Sequence, residues 1–383
     1  VMSGLYLHIP FCKQACSYCD FYFVTRHKRK DEFVEQLINE IESHRNSRFT
    51  QEPVQTIYFG GGTPSLLSPA QVGRILETIA DVFSLDLKEV TLEMNPDDVN
   101  AEYLRGLRSA GITRASMGVQ SFDEELLKFM HRAHNSTEAR SCMEALAETG
   151  FDSYTVDLIY GNPGQTSEML QKDLDILSSY DPPHVSAYTL TIEPKTRLGK
   201  QLELGRLLPA EDEVVAAQFS QVEEALLRTG INRYEVSNFA KPGAEAVHNS
   251  AYWSHENYLG LGPGAHSFWW EEDGTSARRW SNKPDLSDYL NNKTEFKKYD
   301  EDLLDLRTLA EERIMLGLRT VAGIDFKTLL EKYSWKPNEK TETYLHNLQK
   351  NGKARVEDGG IRLTGEGLKI SDAIILDLIT LNE

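Results

Sequence analysis

The chain has 383 residues, 40 % of them hydrophobic and 26 % charged, with a formal net charge of −18. Such a length suits a large α/β domain with an appendage, and the negative charge argues against a phosphate-gripping, nucleic-acid-binding protein. No run reaches about 20 apolar residues, so no transmembrane helix is expected.

No basic-then-apolar leader precedes Tyr6, so no secretory signal is expected. The first strand-like run, Leu5–Ile9, leads into Cys12-x3-Cys16-x2-Cys19. Three of the four cysteines thus share one short loop, which indicates a reducing cytoplasm and not a disulfide framework. Three thiolates fall one short of the four ligands of a structural zinc site. They suit an iron–sulfur cluster whose fourth iron is left open for a ligand. The basic run Arg26–Lys30 reads as a solvated loop entering a helix.

From Leu5 to about residue 190, strand and helix patterns alternate six times. The strand-like runs are Leu5–Ile9, Thr56–Phe59, Val90–Met94, Arg114–Gly118, Tyr154–Tyr160 and Val185–Leu190, rich in β-branched and aromatic residues. The helical patterns are Asp31–Ser43, Ser68–Phe83, Ala101–Ala110, Glu124–Met130, Ser136–Thr149 and Ser167–Ser178. Ser68, Asn100 and Ser136 stand at cap positions, and Gly111 and Gly150 stop two of the helices. Cys142, among Met143, Ala145 and Leu146, reads as core packing. Alternation of this kind demands parallel strands with right-handed crossovers, in an α/β barrel or an open doubly wound sheet.

Candidate site residues sit where strands end, which is where parallel α/β folds build sites. Gly60-Gly61-Gly62-Thr63-Pro64 lets backbone approach a ligand, with N–H groups as donors or a carbonyl as acceptor; no lysine follows to make it a Walker loop. Glu93 shares a strand face with Thr91, and its carboxylate suits an ammonium or ribose hydroxyls. Gln120 ends the fourth strand. Asp157 is an acid within an apolar strand, costly to bury without a partner or ligand. Arg132 is a natural partner for a carboxylate.

The stretch from Thr191 to Asp300 carries His248-Asn249-Ser250-Ala251-Tyr252-Trp253 and four of the five tryptophans, Trp253, Trp269, Trp270 and Trp280. A histidine among aromatics is by itself more often a core residue than a ligand; His255 and His266 are the other imidazoles of this stretch. From Glu301 the pattern becomes helical over Leu303–Leu318, Phe326–Tyr333 (capped by Asp325) and Thr341–Lys350. A hairpin, Ala354–Val356 and Ile361–Leu363 across Asp358-Gly359-Gly360, follows. Three helices and a hairpin resemble a winged-helix module, too acidic here for a phosphate footprint and read as a docking or partner surface. Three segments result: 1–190 as core, 191–300 as its extension with the histidine- and tryptophan-bearing stretch, and 301–383 as the C-terminal module.

The CxxxCxxC spacing resembles the radical S-adenosylmethionine (SAM) proteins. The fuller strings Tyr6-Leu7-His8-Ile9-Pro10-Phe11-Cys12 and Cys16-Ser17-Tyr18-Cys19-Asp20-Phe21 narrow it to the oxygen-independent coproporphyrinogen III oxidase-like family, which includes both a dehydrogenase and haem chaperones. The resemblance implies a partial (β/α)6 barrel and a [4Fe–4S] cluster on Cys12, Cys16 and Cys19. It implies SAM contacts at Tyr6, Gly61, Gly62, Thr63 and Glu93, with a second set at Gln120, Arg132 and Asp157. His248, Tyr252 and Trp253 match the HNxxYW pattern linked with haem binding in the chaperones. The dehydrogenase pattern has a further cysteine where Phe21 stands, and a long segment before its first ligand, which here is residue 12. The chain is thus expected to hold haem and hand it to an acceptor protein, a membrane-associated one included. The alternative is a coproporphyrinogen III dehydrogenase or another radical SAM tetrapyrrole-modifying enzyme.

Overall fold

The computed structural model describes residues 3–292, 296, 298–357 and 359–382. Its first six strands are β1 (Ser3–Ile9), β2 (Val54–Gly61), β3 (Leu85–Met94), β4 (Arg114–Gln120), β5 (Ser153–Tyr160) and β6 (His184–Thr189). They lie parallel and in chain order, each at the run read from the sequence. The intervening helices are Lys30–Ser43, Pro69–Val82, Ala101–Ala110, Glu124–Phe129, Ser136–Thr149 and Ser167–Ser179. Ser68 and Asn100 cap as expected. The fifth helix is capped by Asn135 and not Ser136: Asn135 and Glu138 close a reciprocal capping box, so the polar pair one residue earlier wins.

Later strands extend this sheet at both ends. These are β7 (Asn232–Arg233), β8 (Asn238–Ala240), β9 (Asn257–Leu261), β10 (His266–Trp270), β11 (Ala277–Asn282) and β12 (Lys298–Leu304). The order is β12-β11-β10-β9-β1-β2-β3-β4-β5-β6-β8-β7. Strand β9 joins β1 in parallel, a seventh parallel strand that periodicity did not single out. The first three helices and the fifth pack in succession, and Tyr188 of β6 and Tyr258 of β9 line one cavity. The sheet thus carries an apolar face towards its helices and encloses a cavity on the other, the arrangement expected of a partial barrel.

Strand alternation explains both faces. Outward residues are apolar: Leu5, Leu7 and Ile9 on β1, Ile57 and Phe59 on β2, Val90 and Leu92 on β3, and Ala115 and Met117 on β4, all buried against the helices. Cys142 joins that core, as expected. Inward residues are polar. Tyr6, Tyr58, Thr91 and Arg114 lie in register across four strands, with Glu89, Glu93, Ser116, Asp157, His184 and Ser186 on the same face. An inner lining of this kind has to be partnered, and helix Val247–Trp253, packed against β1, β2 and β3, supplies much of the partnering.

The C-terminal region has helices Leu306–Leu318, Phe326–Tyr333, Glu339–Lys350, Gly365–Leu368 and Ser371–Leu381, with a small sheet of β13 (Ile324–Asp325), β14 (Ala354–Glu357) and β15 (Gly360–Leu363). The expected hairpin is there; Asp358 at its turn lies outside the described residues. The apolar run Leu303–Leu318 divides: Leu303 and Leu304 finish β12, and Asp305 caps the helix that follows. Asp325 caps the next helix as expected. The last two helices complete the module beyond the three read from the sequence.

One buried acid ties the barrel together. Glu40, 1 % exposed, accepts from Gly262 N (2.7 Å), Asn282 Nδ2 (2.7 Å) and Tyr289 Oη (2.7 Å), and burial pushes its carboxyl up to about 7. Glu40→Ala leaves three buried donors unmatched and should destabilise the chain by about 3 kcal/mol, measurable as a lower urea midpoint. An unchanged midpoint would show that these bonds contribute nothing.

Candidate functional site

The cysteine loop is held from both sides. Cys12 N donates to Val24 O (3.0 Å), Val24 N to Pro10 O (2.7 Å) and Ser17 N to Met130 O (3.0 Å). Cys12, Cys16 and Cys19 are half-buried and free of disulfides. Burial raises the Cys12 thiol, and it pushes Cys19 up to about 12 with help from the other two cysteines. Among the described residues no three His, Cys, Asp or Glu side chains are gathered closely enough to clasp a metal ion as they stand. The donor set nevertheless suits a cluster. Arg132 Nη1 lies 3.2 Å from Cys16 Sγ and its buried Nε has no partner, so a cation stands ready beside three sulfurs that ligate only as thiolates.

Arg132 also ties this loop to two strand ends, its Nη2 donating to Gly118 O (2.8 Å) and Asn95 Oδ1 (2.9 Å). Among the described residues Arg132 makes no hydrogen-bonded ion pair with a carboxylate; a carbonyl, an amide, a sulfur and the Tyr18 hydroxyl take its N–H groups, and Asp157 feels its charge at longer range. The glycine run does a steric job. Gly61 has φ +104° and a Cβ there would strike the His8 ring; a Cβ on Gly62 would sit 2.7 Å from Ile9 O and Phe11 O. Of the two alternatives, N–H donors or an accepting carbonyl, the N–H groups find partners within the chain: Gly61 N points to Glu93 Oε2 (3.3 Å), Gly62 N to Ile9 O (2.8 Å) and Thr63 N to Phe11 O (2.7 Å). The last two fasten the segment entering the cysteine loop to the end of β2.

Glu93 faces inward as its strand parity requires, accepting from Tyr58 Oη at 2.7 Å, and burial raises its pKa. Gln120 holds φ +68°, strained for a residue with a Cβ, and its buried Oε1 is unpartnered. Burial pushes Asp157 up to about 7, with Glu93 adding to the rise and the Ser186 hydroxyl opposing it. Together they place two acids and an unmatched amide oxygen on neighbouring strands.

The histidine motif has another geometry than the expected open ligand. Helix Val247–Trp253 begins on Glu89, whose carboxylate accepts Val247 N (2.8 Å) and His248 N (3.1 Å). His248 is 1 % exposed, with Nδ1 2.8 Å from Thr56 Oγ1 and Nε2 2.7 Å from Tyr252 Oη. Its ring stacks on Tyr58 at 5.0 Å, and burial, with Arg114 beside it, pushes its pKa down to about 3. Neither nitrogen is presented to a ligand. Asn249 and Tyr252 line the cavity and Trp253 does not. Trp269 and Trp280 pack on Phe49 in the core. His255, buried, spans Tyr333 Oη (3.1 Å) and Glu312 Oε2 (3.2 Å).

The cavity itself, about 910 Å³, opens between the inner face and the antiparallel extension. Its lining takes Tyr6, Gly61 and Glu93 from the inner face and Tyr258, His266 and Phe268 from the extension. Sequence reasoning passed over His8, which lies between Tyr6 Oη (3.2 Å) and Tyr22 O (2.8 Å), and Tyr58. Both share the strand parity of Tyr6 and Thr56, which was the available signal.

Two outcomes test this site. Cys12→Ala, Cys16→Ala or Cys19→Ala should each lose iron and sulfide on reconstitution, whereas Cys142→Ala keeps both; full metal content in any of the first three would sink the assignment. Asp157 has a folded pKa raised above its ordinary value, so its ionisation costs stability progressively from about pH 4 to 7 and fully above. Asp157→Asn should therefore raise the unliganded protein's stability at pH 8 by on the order of 2 kcal/mol, after allowance for screening, with the gain fading towards pH 5. Thermal melts at the two pH values decide it.

Residues 6–177 match the model of the Radical SAM superfamily, and residues 304–370 that of the HemN C-terminal domain. Heme chaperone HemW of Bacillus subtilis is 35 % identical over 379 residues, covering 97 % of this chain and 98 % of that one. Heme chaperone HemW of Lactococcus lactis is 38 % identical over 334 residues, 86 % of this chain and 84 % of that one. The solved coproporphyrinogen III oxidase (HemN) of Escherichia coli superposes with a TM-score of 0.81 over 99 % of this chain and 89 % of its own, at 22 % identity, which establishes a common fold. With a relative this similar over nearly its whole length, the chain belongs to the HemW family of the oxygen-independent coproporphyrinogen III oxidase-like radical SAM proteins.

Proposed function

We propose that the chain is a cytoplasmic haem chaperone, which binds haem and passes it to an acceptor protein while carrying a [4Fe–4S] cluster and SAM. The observation that carries this reading is similarity over 97 % of the chain to a relative named as a heme chaperone. The cavity supports it: about 910 Å³ lies within the roughly 300–1,000 Å³ of small-molecule sites, and its Tyr and Phe walls suit a flat macrocycle.

Cys12, Cys16 and Cys19 would hold the cluster, whose open iron supplies an anchor for the amino-acid end of SAM. This chain's own residues then do the rest. Arg132 offsets the thiolate charge, and Glu93 accepts from the ligand's ammonium or ribose. Gln120 has an unsatisfied acceptor to offer, and Asp157 loses its proton when a cationic ligand comes near. Gly61, Gly62 and Thr63 keep the cysteine loop at a set distance from these groups, and Tyr6 closes the cavity wall beside Glu93. Phe21 favours this reading over the dehydrogenase, since a phenyl ring can neither ligate metal nor exchange protons as a thiol does.

The test uses the cluster-reconstituted full chain. It should bind ferric haem and yield it to an apo-haemoprotein, and it should not convert coproporphyrinogen III anaerobically with SAM and reductant. Decarboxylated product above the no-enzyme control would overturn the chaperone reading in favour of the dehydrogenase.

A further inference from the structure

The four histidines on or beside the cavity divide sharply. His8, His248 and His255 each have both ring nitrogens in hydrogen-bonding contacts. His266 opens β10 with its side chain exposed, lines the cavity, and has no hydrogen-bond partner on its ring among the described residues. The cavity wall also carries two large unsheltered rings, Phe21 at 65 % exposure and Tyr299 at 49 %, and Tyr299 shares the register position of His266 across Ser281. Aromatic surface left open around a concave site marks a place where a ligand is buried.

We propose that His266 is the iron ligand for haem, with Phe21 and Tyr299 covering the macrocycle at the cavity mouth. The inference rests on the haem reading and assigns its ligand to a residue outside the HNxxYW motif. Charge sets the orientation. Asp20, Asp300 and Glu312 line the cavity, and Arg279 is engaged by Glu312 through bonds of 2.8 and 2.6 Å. An acidic wall attracts the ferric centre and repels two propionates, so the propionates point to solvent and the iron edge enters. Partial burial of the ring, with Arg279 close by and against the pull of Asp300, lowers the His266 pKa, which favours the neutral, ligating imidazole. Haem held this way sits at a rim, where one bond and two ring contacts have to be given up for release.

Ferric haem is titrated into the cluster-loaded full chain and into His266→Gly, His248→Ala and Phe21→Ser, read by absorption and electron paramagnetic resonance. The parent should show an imidazole-ligated signature. His266→Gly should lose it, bind haem roughly tenfold more weakly, and recover it on adding free imidazole. Metal-free protoporphyrin IX, which makes no iron bond, should bind His266→Gly as it binds the parent, and Phe21→Ser several-fold more weakly. An unchanged signature in His266→Gly, or its loss in a cluster-loaded His248→Ala alone, overturns the assignment while leaving the chaperone reading intact. A parent that binds no haem overturns both.

Discussion

A parallel sheet that turns polar side chains inward has to find partners for them, and this constraint organises the whole molecule. Glu89 and Arg114, both nearly buried and 4.0 Å apart, lie deep inside the curl, where unpartnered charge is costly. Helix Val247–Trp253 answers by setting its first N–H groups on the Glu89 carboxylate, the favourable end of a helix for an anion. His248 follows, bridging Thr56 and Tyr252. The helix fills the lower part of the curl, and what remains above it is the cavity.

This arrangement gives the HNxxYW residues distinct positions. His248 braces the inner wall, Tyr252 joins that brace to the cavity surface, and Asn249 faces the open space. The brace continues through the stacked Tyr58 ring to Glu93, so the floor of the curl and the acid on β3 are one connected set. At the far rim His255 and Glu312 fasten the C-terminal module to the barrel by way of Tyr333 and Arg279. The cavity mouth is thus framed by elements far apart in the chain.

Much of this could be read from the sequence, and the reason is physical. Six short apolar runs with bounding turns identify parallel strands because outward packing requires them, and parity alone puts Glu93 inside. The cysteine spacing points to a family because ligand number limits the chemistry, and the match of residues 6–177 to the Radical SAM superfamily agrees with it. What escaped was whatever depends on a partner distant in sequence. Nothing near His248 reveals Thr56, 192 positions earlier, so a ring enclosed on both nitrogens read as an open one. Whether the N–H groups of Gly62 and Thr63 were open donors could not be read, because their acceptors, Ile9 O and Phe11 O, belong to another segment. Strand β9 was missed because its apolar outward residues are only two, Leu259 and Leu261, with a glycine between them, and its parallel partner β1 lies far back in the chain, Leu5 pairing with Leu259.

The contact of Gly62 with Ile9 and Phe11 has a mechanical meaning. Two segments that meet without room for a methyl group, and that also exchange backbone bonds, move as a single body. The spacing between the cysteine loop and the strand ends that carry Glu93 and Gln120 is then insulated from changes elsewhere. Mutations that widen the mouth near β10 to β12 can reshape the cavity while the cysteine end stays in gauge.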